Sequence, residues 1–300
     1  FFITIPMKKF NPKELREDGK KKFSINKAKT KVKDFYDSEE EYEEMLARLQ
    51  DDLDDLQTKL YANSKYGVLV IFQAMDAAGK DGTMKAVFKN VNPLGMKFYS
   101  FKRPTAKELN HDYLWRCFKQ LPERGTLQVF NRSYYEEVLV VKVHPDILHT
   151  QQRIPDELLD EDVWKDRYED IKNFEKYLSN NGIKVIKFFL NVSKKEQSER
   201  LIERIEDISK NWKFEEGDIH ERGFWDDYME AYEDMINETS TGRNPWYVIP
   251  ADDKKNMRLM VARIMVENLE ELNLGFPESS EERQSQLEGM ISTINEQNKV

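Results

Sequence analysis

Between Val68 and Thr83 the chain reads VLVIFQAMDAAGKDGT, an unbroken apolar run that gives way to a small-residue turn, a lysine and the start of a helix. An apolar run without alternation suits a strand covered on both faces, the environment of a parallel sheet flanked by helices. In a strand, loop, helix arrangement the loop amides and the free N–H groups of the first helical turn converge on one point and stabilise an anion there. Gly79 and Gly82 permit close backbone approach. Lys80 is placed to reach outer phosphates, and Ala77, Ala78, Asp81 and Thr83 complete the loop. Two residues of the usual phosphate-loop pattern are missing, since Ala74 stands at its first glycine and Asp81 at the Ser/Thr that would hold magnesium. The competing reading is a lysine on the first turn of an ordinary helix, with glycines serving a tight turn.

A carboxylate inside such a loop repels a phosphate unless it holds a cation or accepts a proton. Asp76 is therefore an expected ligand of Mg²⁺, with Asp81 able to assist directly or through water. A carboxylate that caps loop amides is the alternative. The formal net charge of -9 and pI near 5.3 argue against a general nucleic-acid binder. Yet from Lys80 to Arg103 six basic residues (Lys80, Lys85, Lys89, Lys97, Lys102 and Arg103) accompany one acid, Asp81. This acidic chain puts positive charge beside its phosphate loop, as binding of a polyanion requires; a solvated helix surface is the blander account. The single cysteine, Cys117, excludes an internal disulfide framework, and the four histidines lack metal-site spacing. No apolar stretch reaches the length of a membrane span and the first residues lack a secretory signal, so no membrane contact and a cytoplasmic location are expected.

Residues 1–37 are Lys-rich and read as an arm laid over the domain. Ser38 and Glu41 form a capping box ahead of Tyr42, Met45, Leu49, Leu53, Leu56 and Leu60, spaced for one long amphipathic helix. Further strands are expected at 97–101, 127–131, 183–190 and 246–249, and helices near 108–121, 160–179, 194–209, 224–237 and 254–270. Strands alternating with long crossovers make the class α/β, with a parallel sheet and helices on both faces. One domain over 38–275 and a polar tail or assembly helix over 276–300 complete the reading. The aromatic stripe Trp225, Tyr228, Tyr232 is read as core packing.

Two further clusters carry positive charge. In VFNRSYYEEVLV, a buried strand ending at Asn131 delivers Arg132 to the carboxyl edge of the sheet, where α/β folds bind ligands and a guanidinium can grip phosphoryl oxygens. In SKKEQSERLIERIED, Arg200 and Arg204 share a helical face, although pairing with Glu196, Glu199 and Glu203 would make them surface salt bridges.

With these clusters the chain resembles the polyphosphate kinase 2 family over about residues 35–270, through MDAAGKDGT (75–83), NPLGMKFYSFKRPT (92–105), HDYLWRCFKQLPERG (111–125), FNRSYYEEVLV (130–140), ERGFWDDYMEAYEDMI (221–236) and NPWYVIPADDK (244–254). The resemblance implies a P-loop kinase of three-layer sandwich architecture, thymidylate-kinase-like, with a mobile helical lid at about 195–225. It implies phosphoryl transfer between inorganic polyphosphate and nucleotides with Mg²⁺ or Mn²⁺, and a homodimer or homotetramer. Where many members read FDRS this chain has Asn131, which resembles the class that carries AMP through ADP to ATP; guanine nucleotides are further candidate acceptors.

On this reading Lys80, Arg132 and at least one of Arg200 and Arg204 clamp the transferred group, while Asp76 holds the metal. Polyphosphate runs along Lys85, Lys89, Lys97, Lys102 and Arg103, and the acceptor nucleotide meets Asp112, Arg116, Asn131 and Glu137. The rivals are an ATP-dependent nucleotide kinase of thymidylate kinase type and a non-catalytic polyphosphate or nucleotide sensor.

Overall fold

The computed structural model describes residues 10–298. Its sheet contains β1 (Arg16–Glu17), β2 (Gly67–Gln73), β3 (Met96–Ser100), β4 (Leu127–Asn131), β5 (Ile183–Asn191) and β6 (Trp246–Pro250). The helices are α1 (Glu39–Asn63), α2 (Lys80–Val87), α3 (Trp115–Phe118), α4 (Val140–Val143) and α5 (Val163–Asn180). They continue with α6 (Lys194–Glu206), α7 (Glu216–Gly223), α8 (Trp225–Thr239), α9 (Lys254–Glu270) and α10 (Glu281–Gln297).

The spatial order is β1-β6-β5-β2-β4-β3, parallel throughout except for β1, which pairs antiparallel with β6. The most apolar run thus becomes the centre: β2 is buried along its whole length, with β4 on one side and β5 on the other. Helices α1, α2 and α9 pack together in one group, and α4, α5 and α8 in another. Because every parallel strand points the same way, the loops after β2, β3 and β4 emerge at one edge.

Ser38 caps α1 by accepting from the Glu41 amide, and Tyr42, Met45, Leu49, Leu53 and Leu60 form its buried face. Residues 10–37 run along β6, α8 and α9: Phe23 N donates to Asn237, Ile25 N to Glu233 and Phe35 N to Asn256. The expected arm also includes residues 1–9, which lie outside the described ones. The two-residue β1 had no pattern long enough to read.

The helix expected over 108–121 is instead a 3-10 turn at Glu108–Asn110 and the short α3. Asp112 accounts for the break, because its carboxylate takes the amides of Leu114 and Trp115 and so competes with the helical ladder. Trp225, Tyr228 and Tyr232 are buried in the core, as is Cys117. Among the described residues, no helix is long and apolar enough to cross a membrane.

Candidate active site

The segment from Ala74 to Gly79 links β2 to α2. Ala77 takes φ 59° and Gly79, at the N-cap, φ 102°. Glycine suits this position because a side chain is strained at that φ, and a Cβ would also press on the Met257 methyl at 3.1 Å. Lys80 turns back toward the strand, donating to the carbonyls of Ala74 at 2.9 Å and Met75 at 3.3 Å. Burial, reinforced by the nearby Arg132 charge, lowers its pKa to about 8.

Arg132 leaves the end of β4 and meets this loop. Its Nη2 lies 2.5 Å from Asp76 Oδ1 and its Nη1 2.9 Å from Glu136 Oε2. Glu136 keeps the guanidinium charged against the cost of burial, with Asp76 adding to its effect. Burial pushes the Asp76 carboxyl upward, but Arg132, Lys80 and Arg204 outweigh it and hold Asp76 below the usual carboxylate range. Asn131, the residue before Arg132, donates its amide to Asp81 at 2.8 Å. Asp76, Lys80, Asp81, Asn131 and Arg132 are thereby brought together from two adjacent strands.

Helices α6 and α7 close one side. Gln197 donates to the Asp76 carbonyl, and Arg222 of α7 donates in turn to Gln197 and Ser198. Arg204 pairs with Asp218 of α7 at 2.9 Å. The Asp218 carboxyl is raised by burial and then by repulsion from Asp76, which puts this pair in the electrostatic field of the loop.

Arg200, expected among the phosphoryl-gripping residues, lies against backbone carbonyls. Its guanidinium donates to the carbonyls of Ala78 (2.8 Å), Ala251 (2.6 Å) and Asp252 (3.0 Å), and its Nε to Glu196 (2.8 Å). It ties the loop at Ala78 to the segment after β6. Three residues beside the loop had escaped the sequence reading, namely Glu136, Gln197 and Asp218. Only Glu136 left a trace, since it stands four residues after Arg132.

The basic stretch divides. Lys102 and Arg103 follow β3 at the carboxyl edge of the sheet and are exposed. Lys85 is exposed on α2, whereas Lys89 falls beyond the end of that helix. Lys97 does not join them. It is in register with Gln128 and so level with Leu69, about 13 Å short of the end of β2 along the strand, and it pairs with Glu123 at the surface.

Of the residues expected at the acceptor, Asp112 lines a cavity of about 650 Å³ with Tyr113, Gln152, Arg167 and Phe174 among its walls. Glu137 is 4% exposed and holds two of those walls in place, accepting from Arg167 at 3.0 Å and Gln152 at 2.7 Å. Arg116 turns away to donate to the Lys102 carbonyl and to lie over the Phe101 ring.

Residues 36–276 match the family model for polyphosphate kinase 2. The ADP-polyphosphate phosphotransferase of Rhodopseudomonas palustris is 48% identical over 279 residues, 93% of this chain and 96% of its own. The AMP/ADP-polyphosphate phosphotransferase of Meiothermus ruber is 47% identical over 235 residues, 78% of this chain and 84% of its own. The crystal structure of polyphosphate kinase 2 from Arthrobacter aurescens superposes with a TM-score of 0.84 at 35% identity, covering 94% of this chain and 97% of that one. With nearly half its residues shared across almost the whole length of a relative, and the phosphate loop lying inside the matched segment, the chain belongs to the polyphosphate kinase 2 family.

Proposed function

We propose that this chain transfers phosphoryl groups reversibly from inorganic polyphosphate to nucleoside mono- and diphosphates, carrying AMP through ADP to ATP. The observation that supports this best is the meeting of Lys80, Arg132 and Asp76 at the mouth of a phosphate loop, in a chain whose near relatives are named for a polyphosphate donor and AMP or ADP acceptors. The sheet order, with the loop strand central and the Arg132 strand beside it, supports a thymidylate-kinase-like P-loop kinase with α6 and α7 as lid. GMP and GDP are further candidate acceptors, and the cytoplasm is the proposed location.

Transfer requires the acceptor oxygen in line with the donor phosphorus and positive charge over the equatorial oxygens as they pass through the transition state. Lys80 and Arg132 supply that charge beside the loop amides, and Arg204 adds to it by exchanging Asp218 for the phosphoryl group. Lys102 and Arg103 lead the donor chain in from the sheet edge. An acceptor phosphate is already ionised near neutral pH, so no general base is assigned.

Among the described residues no three His, Cys, Asp or Glu side chains are grouped to hold a metal on their own. The oxygen donors nonetheless fit Mg²⁺, which is commonly held by one or two carboxylates together with substrate phosphates. Asp76 is the proposed ligand with Asp81 in support, and Asn131 Oδ1 is buried beside them without a hydrogen-bond partner. When bound, the ion would neutralise phosphate charge next to Asp76.

The reading is tested by incubating the chain with Mg²⁺ and AMP, ADP, GMP or GDP in parallel, with polyphosphate as donor and no nucleoside triphosphate added, and in a separate arm with ATP as the donor. ADP and ATP appearing from AMP support it. Turnover with ATP as the only effective donor, or binding without turnover, overturns it.

A further inference from the structure

Arg132 holds a backbone conformation that its surroundings have to enforce. Its φ is 63°, in the left-handed region that a residue with a side chain occupies at a cost and keeps only where neighbours over-determine it. On its amino side the parallel ladder does this, since Arg132 N donates to the Phe72 carbonyl at 3.0 Å. On its carboxyl side Ser133 Oγ accepts from Gln73 at 3.3 Å and from the Tyr135 amide at 3.2 Å.

The next two residues, Tyr134 and Tyr135, are buried, and both hydroxyls donate to one oxygen of Glu175 on α5, at 3.0 and 2.7 Å. The other Glu175 oxygen accepts from Lys187 in the middle of β5 at 2.8 Å. Lys187 also donates to the Tyr135 hydroxyl and to the Thr239 carbonyl, both at 3.0 Å, so all three of its protons have acceptors. The two charges are 0% and 1% exposed.

A buried ion pair is a poor way to gain stability, because desolvation cancels most of the attraction and an apolar pair of similar volume does as well. What an apolar pair lacks is direction: it packs against the two rings and leaves their hydroxyls unaimed. Lys187 and Glu175 thus meet at the hydroxyls of Tyr134 and Tyr135, the two residues that follow the turn carrying Arg132. We infer that these four side chains form a positioning unit for Arg132, locking the turn after β4 so that the guanidinium stays at the phosphate loop against Asp76 and Glu136. The unit touches no substrate and acts through Arg132. It rests on the reading of Arg132 as a clamp on the transferred phosphoryl group.

The test combines Tyr135→Phe and the double variant Lys187→Met/Glu175→Met, each also made in an Arg132→Lys background. With polyphosphate and AMP, each is expected to lower kcat about tenfold or more while both KM values stay within about threefold, as for a misplaced transition-state contact. The double variant is expected to melt several degrees lower, because the Tyr134 and Tyr135 hydroxyls and the Thr239 carbonyl lose their partners, so its kinetics are read at a temperature where it remains folded. In the Arg132→Lys background the same substitutions should change kcat by less than about twofold, because the group they position has already been replaced. Unchanged kcat in folded Tyr135→Phe, or losses that simply multiply with that of Arg132→Lys, overturn the inference. Should the double variant not fold, Tyr134→Phe and Tyr135→Phe, which keep the rings and the ion pair, decide it through the same cycle. A wild type inactive with polyphosphate overturns the functional reading and the positioning with it; an active wild type with multiplying losses overturns the positioning alone.

Discussion

Lys80 carries a charge in the phosphate loop that titrates within the working pH range. Burial and the neighbouring Arg132 bring its pKa to about 8 from the ordinary lysine value of 10.5, so the free enzyme loses this cation as pH rises past about 8. The kcat/KM for polyphosphate, which reports the free enzyme, should then fall about tenfold per pH unit on the alkaline side, and Lys80→Arg should remove that limb because a guanidinium stays protonated. Initial rates from pH 6.5 to 10 check this, and a flat wild-type profile contradicts it. The effect on stability has the opposite sign. Between about pH 8 and 10.5 the unfolded chain binds more protons at this residue than the folded one, so this residue's contribution to stability rises with pH across that window. Arg200 belongs to a different category. Arg200→Met leaves the carbonyls of Ala78, Ala251 and Asp252 without their donor and should cost about 2–4 kcal/mol, read as a lower denaturation midpoint. Lys80 and Asp76 were legible because a phosphate loop is written in consecutive residues. The partners of Arg200 were not legible, because they come from residues 77–78 and 251–252 and no spacing within SERLIER marks them.

The lid helices show how one element can hold another's charge in reserve. Asp218 on α7 keeps Arg204 of α6 paired and adds negative charge near Asp76. Asp218→Asn should therefore lower the KM for polyphosphate about two- to fivefold, since the anion meets one fewer repelling charge and a freer guanidinium. Arg204→Ala should lower kcat about a hundredfold, as loss of one donor to a transition-state oxyanion does. Steady-state kinetics with polyphosphate varied at saturating AMP separates the two. The buried strands were readable from apolar runs, and Ser38 with Glu41 marked where α1 begins. The segment over 108–121 was not, because there one side chain, Asp112, diverts two backbone amides that the periodicity assigns to a helix.

At the scale of the whole molecule, α10 stands apart from the sheet and its covering helices. All of its residues up to Gln297 are exposed, including Leu287, Met290, Ile291 and Ile294. Removing residues 276–300 should leave the melting temperature of the remaining chain within about 2 °C, since none of the described side chains there is buried against it; differential scanning calorimetry gives the answer. One glycine-lysine turn after one apolar strand marked the phosphate loop, strands alternating with long crossovers marked the α/β class, and six motifs spread over residues 75–254 carried the resemblance to the family. Folding alone assigned the partners: Arg132 to Asp76 and Glu136, Arg204 to Asp218, Lys187 to Glu175, and Lys97 to the far end of the sheet. The physical reason is that a backbone loop presents its own amides wherever it forms, whereas a long cationic side chain is equally at home on a phosphate, a carboxylate or a carbonyl. Which of these it meets depends on strands that become neighbours only in the folded sheet.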